Sequence, residues 1–171
     1  MTVYLDFDGV LNPFPFDPNP FTTESPWTDF TAHTVSLPAD SGYVRQFVVN
    51  VSQTAADALW EASNGAVTWH TTWNEGNFAN RFLSPLFGWS SLFRAPFLDK
   101  HVRHSWWKLE ALLSLERDDA LPDRFVWIDD DLKFEQDALD WCKDRGCLPL
   151  SPDSHVGLTE DHLDQIKGFY G

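Results

Sequence analysis

The start of the chain constrains its fold more than any other stretch. Residues 3–5 are the apolar run VYL, and the tetrapeptide DFDG follows them directly. Side chains alternate along a strand, so Asp6 and Asp8 face the same side, where two carboxylates repel each other. A divalent cation would relieve that repulsion, as would a substrate that one carboxylate contacts and the other protonates. Gly9 allows the backbone to turn sharply or to approach a ligand closely.

A second acidic group follows another apolar segment. Residues 124–128 (RFVWI) predict a buried strand, and Asp129, Asp130 and Asp131 come directly after it. Without a cation, three adjacent carboxylates would repel strongly. Asp131 is also in position to cap a helix predicted over residues 132–143.

Hydroxyl groups follow a second predicted core strand. This strand covers residues 65–70 (GAVTWH), and Thr71 and Thr72 come at its carboxyl end. In open α/β sheets, ligands bind at that end of the strands. We interpret His70 as a packed strand residue rather than a metal ligand.

A lysine opens a predicted amphipathic helix over residues 106–117. Ser105 is its predicted cap, and Lys108 lies in its first turn. A cation there opposes the helix macrodipole at a cost of about 0.3–1 kcal/mol. A phosphate bound at the helix N-terminus would reverse that penalty.

These segments, taken in chain order, resemble the four motifs of the haloacid dehalogenase (HAD) superfamily. DFDGVLN resembles the first motif and WIDDD the fourth. WHTTW followed by Ala79-Asn80 is similar to the WATxW…AN pattern of a small HAD group found in bacteria and phages, sometimes within RNA-repair proteins. SPDSHVGLTEDHL, near the C-terminus, resembles the same group. The resemblance covers most of the chain and is weakest between residues 13 and 45.

The resemblance implies roles for the aspartates. Asp6 is expected to be the nucleophile, and Asp8 the general acid and base. Mg²⁺ is the expected cofactor, bound by the Asp6 carboxylate, the backbone carbonyl of Asp8, and Asp129. Asp130 would bind the ion through water or as a further ligand.

The resemblance also implies two groups that bind phosphoryl oxygens. One is a hydroxyl, which we assign to Thr71 with Thr72 as its rival. The other is a lysine, which we assign to Lys108 with Lys100 as the alternative.

A proline-rich segment follows the first motif. Its prolines exclude a regular helix, while its aromatic residues favour an ordered, irregular flap. A strand over residues 42–51 is predicted to follow, paired with residues 33–36 in a hairpin. We expect a flap or cap insertion over about residues 13–50, placed above the nucleophile. Its aromatic side chains, expected to lie near the group that carries the phosphate, are Phe14, Phe16, Phe21, Trp27 and Phe30.

The remaining pattern alternates strands and helices. Helices are predicted from a cap at Ser52 to about Gly65, over residues 77–86, and from Thr159 to Lys167; strands are predicted over residues 90–97 and 146–150. Such alternation favours a parallel sheet with right-handed crossovers. The predicted fold is α/β: one HAD-like, Rossmannoid three-layer domain over residues 1–171, with the small insertion after its first strand.

Composition limits the partners. The net charge of −14 argues against an extended nucleic-acid surface. Two cysteines are too few for a disulfide scaffold. The charged motif that begins near residue 2 argues against a signal segment, and no apolar stretch approaches the roughly 20 residues that span a bilayer. We expect a cytoplasmic protein without a membrane partner.

The predicted function is a Mg²⁺-dependent phosphomonoester hydrolase that works through an aspartyl-phosphate. Its expected substrate is a phosphorylated small molecule, a nucleotide or a nucleic-acid end. The alternative is a catalytically silent HAD fold that binds or regulates a protein partner. Glycine-rich phosphate loops of the nucleotide-binding kinds are absent from the sequence.

Overall fold

A computed structural model describes residues 2–18, 21–38, 43–98 and 106–171. Its strands are β1 (Val3–Leu5), β2 (Asp17–Pro18), β3 (Phe21–Thr22), β4 (Phe30–Pro38), β5 (Val44–Ser52), β6 (Val67–Trp69), β7 (Phe93–Arg94), β8 (Val126–Ile128) and β9 (Leu148–Leu150). Its α-helices are α1 (Gln53–Ala62), α2 (Trp107–Arg117), α3 (Gln136–Arg145) and α4 (Glu160–Tyr170).

β1 lies at the centre of a five-stranded sheet with the order β7-β6-β1-β8-β9. All neighbouring pairs are parallel, and Val3 of β1 is aligned with Val67 of β6 and with Val126 of β8. Because parallel neighbours end at the same edge, the residues that follow β1, β6 and β8 are brought together there. The predicted parallel sheet is confirmed.

The sheet separates two apolar cores. Leu5 of β1 belongs to a core that includes Leu59 of α1 and Ile166 of α4. Tyr4 points to the opposite face, into a core that includes Leu112 of α2 and residues of α3. Alternation along β1 therefore places one pair of helices on each face of the sheet. This arrangement confirms the three-layer α/β fold.

The segment between β1 and α1 forms two antiparallel hairpins outside the five-stranded sheet. β2 pairs with β3 over two residues of each strand, and β4 pairs with β5 over nine. The β4–β5 unit, called the long hairpin below, is more extensive than the pairing predicted from the sequence. Residues 44–48 of β5 are exposed, whereas residues 49–52 are buried. The base of β5 therefore packs on the core, and Val35 and Leu37 of β4 add contacts to it further along the long hairpin.

The helix predicted over residues 77–86 is present but irregular, and it is not an α-helix. The chain instead forms a 3₁₀ segment over Thr72–Asn77, a π-turn over Ala79–Leu83 and a 3₁₀ turn over Ser84–Phe87. Gly76 and Asn77 have positive φ angles, which a right-handed helix cannot contain. Pro85 lacks the backbone donor that a continuing α-helix would need.

Other predicted boundaries shift in the structure. The strand predicted over residues 90–97 is reduced to β7, a two-residue edge strand. α2 begins one residue late, with Trp106 at its N-cap position, and the predicted cap Ser105 lies outside the described residues. Asp131 precedes a 3₁₀ turn over Leu132–Phe134 and makes no side-chain cap, so its predicted capping role is wrong. α3 begins only at Gln136.

None of the helices in the described ranges is long and apolar enough to cross a membrane.

Ser52, predicted as a helix cap, is the N-cap of α1. Its Oγ accepts a hydrogen bond from Ala55 N at 3.0 Å and donates one to the Asp29 carboxylate. We expect Ser52→Ala to lower the free energy of unfolding by about 1–2 kcal/mol, because the first turn loses its side-chain acceptor. Urea denaturation followed by circular dichroism measures the change. Ser36→Ala, at an exposed position of β4, is the control, and an equal loss in both variants would contradict the capping role.

Candidate active site

Three carboxylates meet at the carboxyl edge of the parallel sheet. Asp6 follows β1, while Asp129 and Asp130 follow the neighbouring strand β8. The ladder continues beyond both strands, because Asp6 N donates to Ile128 O at 2.9 Å and Asp129 N donates to Leu150 O at 3.0 Å. Each aspartate offers one oxygen, and these oxygens lie within 4.8 Å of one another. The backbone of the sheet thus positions this acidic cluster (Asp6, Asp129 and Asp130).

Lys108, from the first turn of α2, lies against the acidic cluster. Its Nζ is 2.5 Å from Asp6 Oδ2 and 2.6 Å from Asp129 Oδ2, and the residue is 3% exposed. Burial lowers the pKa of Lys108, but the two carboxylates outweigh burial and hold the pKa above its ordinary value. Lys108 is therefore an ammonium ion at neutral pH. The rival candidate Lys100 lies outside the described residues.

Lys108 pairs with only two of the three carboxylates of the acidic cluster. Burial raises the pKa of Asp129 well above its usual range, although the charge of Lys108 opposes the rise. Burial, together with the charges of Asp6 and Asp131, raises the pKa of Asp130 to about 7. A further cation would be bound favourably here. Carboxylate oxygens are the ligands that Mg²⁺ prefers, so this set of donors fits the metal that the resemblance implies.

Gly9 allows the loop after β1 to approach the acidic cluster. Its φ angle is +70°, in the left-handed region that side chains rarely adopt. A Cβ atom at this position would lie 2.3 Å from Asp130 Cγ. Any other residue would therefore have to displace the Asp130 carboxyl group.

Asp8 is held by neutral donors rather than by a cation. Trp73 Nε1 donates to its Oδ2 at 2.9 Å, and Asn12 Nδ2 donates to its Oδ1 at 2.8 Å. Burial raises the pKa of Asp8 above its ordinary value, and these two hydrogen bonds partly oppose the rise. The roles of Asn12 and Trp73 were not predicted. Their only signals in the sequence are the Asn of DFDGVLN and the second Trp of WHTTW.

The two threonines after β6 have different environments. Thr71 is fully buried, and its Oγ1 accepts a hydrogen bond from Trp73 N at 3.4 Å. Among the described residues, no acceptor is recorded for the hydroxyl proton of Thr71. Thr72 is half-buried and lines a cavity next to Asp8. Both remain candidates for binding a phosphoryl oxygen.

His70 packs beneath Lys108. Its Nε2 lies 3.0 Å from the backbone carbonyl oxygen of Lys108, so this nitrogen carries the proton and donates it. Burial and the charge of Lys108 lower the pKa of His70 to about 3, and the ring is neutral. It also contacts the rings of Tyr4, Trp107 and Trp127 edge-on or tilted. These contacts agree with its interpretation as a packed strand residue.

A cavity of about 740 Å³ opens beside Asp8. The loop after β1 forms one side of it, the long hairpin a second, and the segment from Thr72 to Phe78 a third. Its lining residues are Asp8, Asn12, Phe14, Leu37, Pro38, Arg45, Phe47, Val48, Val49, Thr72, Trp73, Glu75, Gly76 and Phe78.

Most of the aromatic residues predicted to face the substrate pack elsewhere. Of the five, only Phe14 lines the cavity. Trp27 Nε1 donates to Leu158 O at 2.6 Å, and Trp27 packs against the larger core. Phe16 stacks on His155, while Phe21 and Phe30 contact each other. Trp27 therefore packs within the protein and does not line the cavity, where contact with a substrate ring was expected.

The fold and the acidic edge of the sheet together define a HAD-like α/β domain. A family model described as "HAD domain in Swiss Army Knife RNA repair proteins" matches residues 2–163, nearly the whole chain. The chain belongs to this family. No curated protein and no solved structure is significantly similar to it.

We expect Gly9→Ala to destabilise the protein more than Gly146→Ala. Gly146 has a similar φ angle, +74°, but a Cβ there would contact nothing within 4 Å. Gly146→Ala therefore measures the backbone strain alone, about 1–2 kcal/mol. Gly9→Ala adds the clash with Asp130, worth about a further 1–3 kcal/mol. Equal free energies of unfolding in urea titrations of the two variants would contradict the close approach.

Lys108→Met tests the buried ion pairs. The substitution leaves Asp6 and Asp129 buried without their cation, and we expect the free energy of unfolding at neutral pH to fall by about 3–5 kcal/mol. Lys167→Met is the matched control, because Lys167 pairs with Asp164 at 3.5 Å on the exposed side of α4. An exposed pair contributes about 0–1 kcal/mol. If the two variants lost similar free energies of unfolding, the buried ion pairs of Lys108 would contribute no more than an exposed pair.

Proposed function

We propose that the chain is a Mg²⁺-dependent phosphomonoester hydrolase that works through an aspartyl-phosphate on Asp6. The main observation behind this proposal is that Asp6 and Asp8, only two residues apart, have different charged and hydrogen-bonding partners. Asp6 contacts a buried ammonium and offers an oxygen within 4.8 Å of two further carboxylates, whereas Asp8 is held by neutral donors beside an open cavity. Two carboxylates in such different environments suit two chemical roles.

Asp6 acts as the nucleophile in the first half of the reaction. A carboxylate oxygen of Asp6 forms a bond to phosphorus as the bond to the leaving oxygen breaks. Asp8 gives its proton to that leaving oxygen, and burial of Asp8 favours the protonated form. The covalent aspartyl-phosphate divides one difficult displacement into two easier ones.

Asp8 acts as the base in the second half. It takes a proton from a water molecule that attacks phosphorus, the bond to Asp6 breaks, and inorganic phosphate leaves. Trp73 and Asn12 hold the Asp8 carboxyl group in place for both transfers. Lys108 and the hydroxyl of Thr71, with Thr72 as the alternative, would bind the oxygens of the transferring group.

The carboxylates of Asp6, Asp129 and Asp130 and the backbone carbonyl of Asp8 would hold Mg²⁺. When bound, the ion would screen the repulsion between the anionic nucleophile and the anionic phosphate. Burial is the main cause of the raised pKa values of Asp129 and Asp130, so their ionised forms are unfavourable without a nearby cation. A bound Mg²⁺ would stabilise those ionised forms.

A nucleotide or a nucleic-acid end is the substrate class that fits best. The family description names RNA repair proteins. The cavity of about 740 Å³ lies within the range of small-molecule sites, roughly 300–1,000 Å³. The two hairpins between β1 and α1 would act as the cap, over about residues 13–50, because the long hairpin forms a wall of this cavity.

Asp6→Asn tests the nucleophile. We expect a loss of more than about 10³-fold in the kcat for p-nitrophenyl phosphate with Mg²⁺, because the amide cannot form the covalent intermediate. Asp137→Asn, an equal change of charge at an exposed position of α3, is the control. Full activity of Asp6→Asn would rule out the mechanism. Absence of turnover in the native protein, across a panel of phosphorylated metabolites and oligonucleotides, would favour the binding-module alternative.

A further inference from the structure

The long hairpin carries a cation above the candidate active site. Arg45 is the only cationic side chain among the described residues that line the cavity. It is exposed, and no ion pair or hydrogen bond is recorded between it and a described residue. Among the described residues, Arg45 therefore lines the cavity without a charged partner, and its guanidinium is available to an anionic ligand there.

The alternation of β5 turns Arg45 toward the catalytic loop. Arg45, Phe47 and Val49 are spaced by two residues, share one face of the strand, and all line the cavity. The ring of Phe47 lies 5.6 Å from that of Trp73, centroid to centroid, and Trp73 donates to Asp8. One continuous wall therefore runs from Asp8 to Arg45.

The base of the long hairpin fixes the position of Arg45 along this wall. Asn50 N donates to Asn12 Oδ1 at 2.9 Å, which ties β5 to the loop that carries Asp8. Five residues separate Asn50 from Arg45, a span of about 16 Å along an extended strand. Arg45 therefore lines the cavity further from Asp8 than the hairpin base does. A group beyond the reacting phosphate, rather than that phosphate itself, is thus within range of the guanidinium.

We propose that Arg45 is a specificity-determining residue that binds a second phosphate on the leaving group of the substrate. Guanidinium binds phosphate through two parallel hydrogen bonds, and it remains charged at any physiological pH. Phe47, Trp73 and Phe78 line the cavity and supply apolar surface for the nucleoside between the two phosphates. The preferred substrate is a phosphomonoester whose leaving group carries another phosphate. This inference rests on the proposed function.

Steady-state kinetics of Arg45→Gln tests the assignment. The substrates are p-nitrophenyl phosphate, a nucleoside monophosphate, a nucleoside 3′,5′-bisphosphate and a dinucleotide with one terminal phosphate. For the last two, we expect KM to rise about 10-fold or more with kcat nearly unchanged, because a charge-assisted contact to the distal phosphate is lost. For the first two, KM stays constant. A response to the dinucleotide alone would identify a diester phosphate as the ligand, and a response to the bisphosphate alone would identify a monoester.

Arg81→Gln is the matched control, because Arg81 is an exposed arginine that does not line the cavity. It should leave all four KM values unchanged. Arg45→Gln should also weaken the dependence of KM on salt, because screening acts on the contact that it removes. Equal changes for all four substrates, or no change for any, would overturn the assignment.

Binding measured without turnover separates this inference from the proposed function. Isothermal titration of Asp6→Asn and of the double variant Asp6→Asn/Arg45→Gln with the phosphorylated dinucleotide gives the affinity directly. Suppose that the native protein hydrolyses p-nitrophenyl phosphate and that Arg45→Gln does not change the affinity for the dinucleotide. That result would overturn the role of Arg45 and leave the phosphatase proposal standing. Absence of all hydrolysis, with affinity that depends on Arg45, would support the role of Arg45 and contradict the phosphatase proposal.

Discussion

The ion pairs of Lys108 with Asp6 and Asp129 hold together three parts of the fold that are distant in sequence. These charges are buried, and an ionised group removed from water without a partner costs several kcal/mol. The ends of β1 and β8 can carry adjacent aspartates only because α2 places an ammonium beside them. His70, after β6, hydrogen-bonds the backbone of Lys108 and so joins the first turn of α2 to the sheet. The candidate active site is therefore also part of the core, and its charges help to determine how that core packs.

The same constraint explains why the two aspartates of the first motif differ. Asp6 continues the β1 ladder, and its Oδ2 accepts a hydrogen bond from the Lys108 ammonium group. Asp8 lies two residues further, where the chain has left the sheet, and its loop closes through Gly9 N and Asn12 O at 2.9 Å. There the available partners are the Asn12 amide and the Trp73 indole, both neutral. Strand geometry, rather than any difference in side-chain chemistry, thus separates a carboxylate paired with a cation from one held by neutral donors.

The parts of the structure that follow from local pattern could be predicted from the sequence. Apolar runs that end in DFDG and WIDDD identify β1 and β8, and parallel pairing then brings their aspartates to one edge. The irregular segment from Thr72 to Phe87 could not be predicted, because its course depends on the positive φ angles of Gly76 and Asn77 rather than on apolar periodicity. Trp27 shows the same limit: a tryptophan in a proline-rich flap gives no sign that its indole will bond to Leu158, far along the chain. Tertiary contacts of single side chains decide such positions.

Asn12 connects the chemistry of the loop to the position of the long hairpin. Its amide donates to Asp8, and its carbonyl oxygen accepts from Asn50 N, so one side chain is shared by both units. In the long hairpin, residues 49–52 of β5 and Val35 of β4 are buried, while residues 44–48 of β5 are exposed. Its base is thus fixed relative to Asp8, while its outer half meets solvent and the cavity. Through Asn12, the loop that carries Asp8 and the strand that carries Arg45 and Phe47 therefore share one anchor.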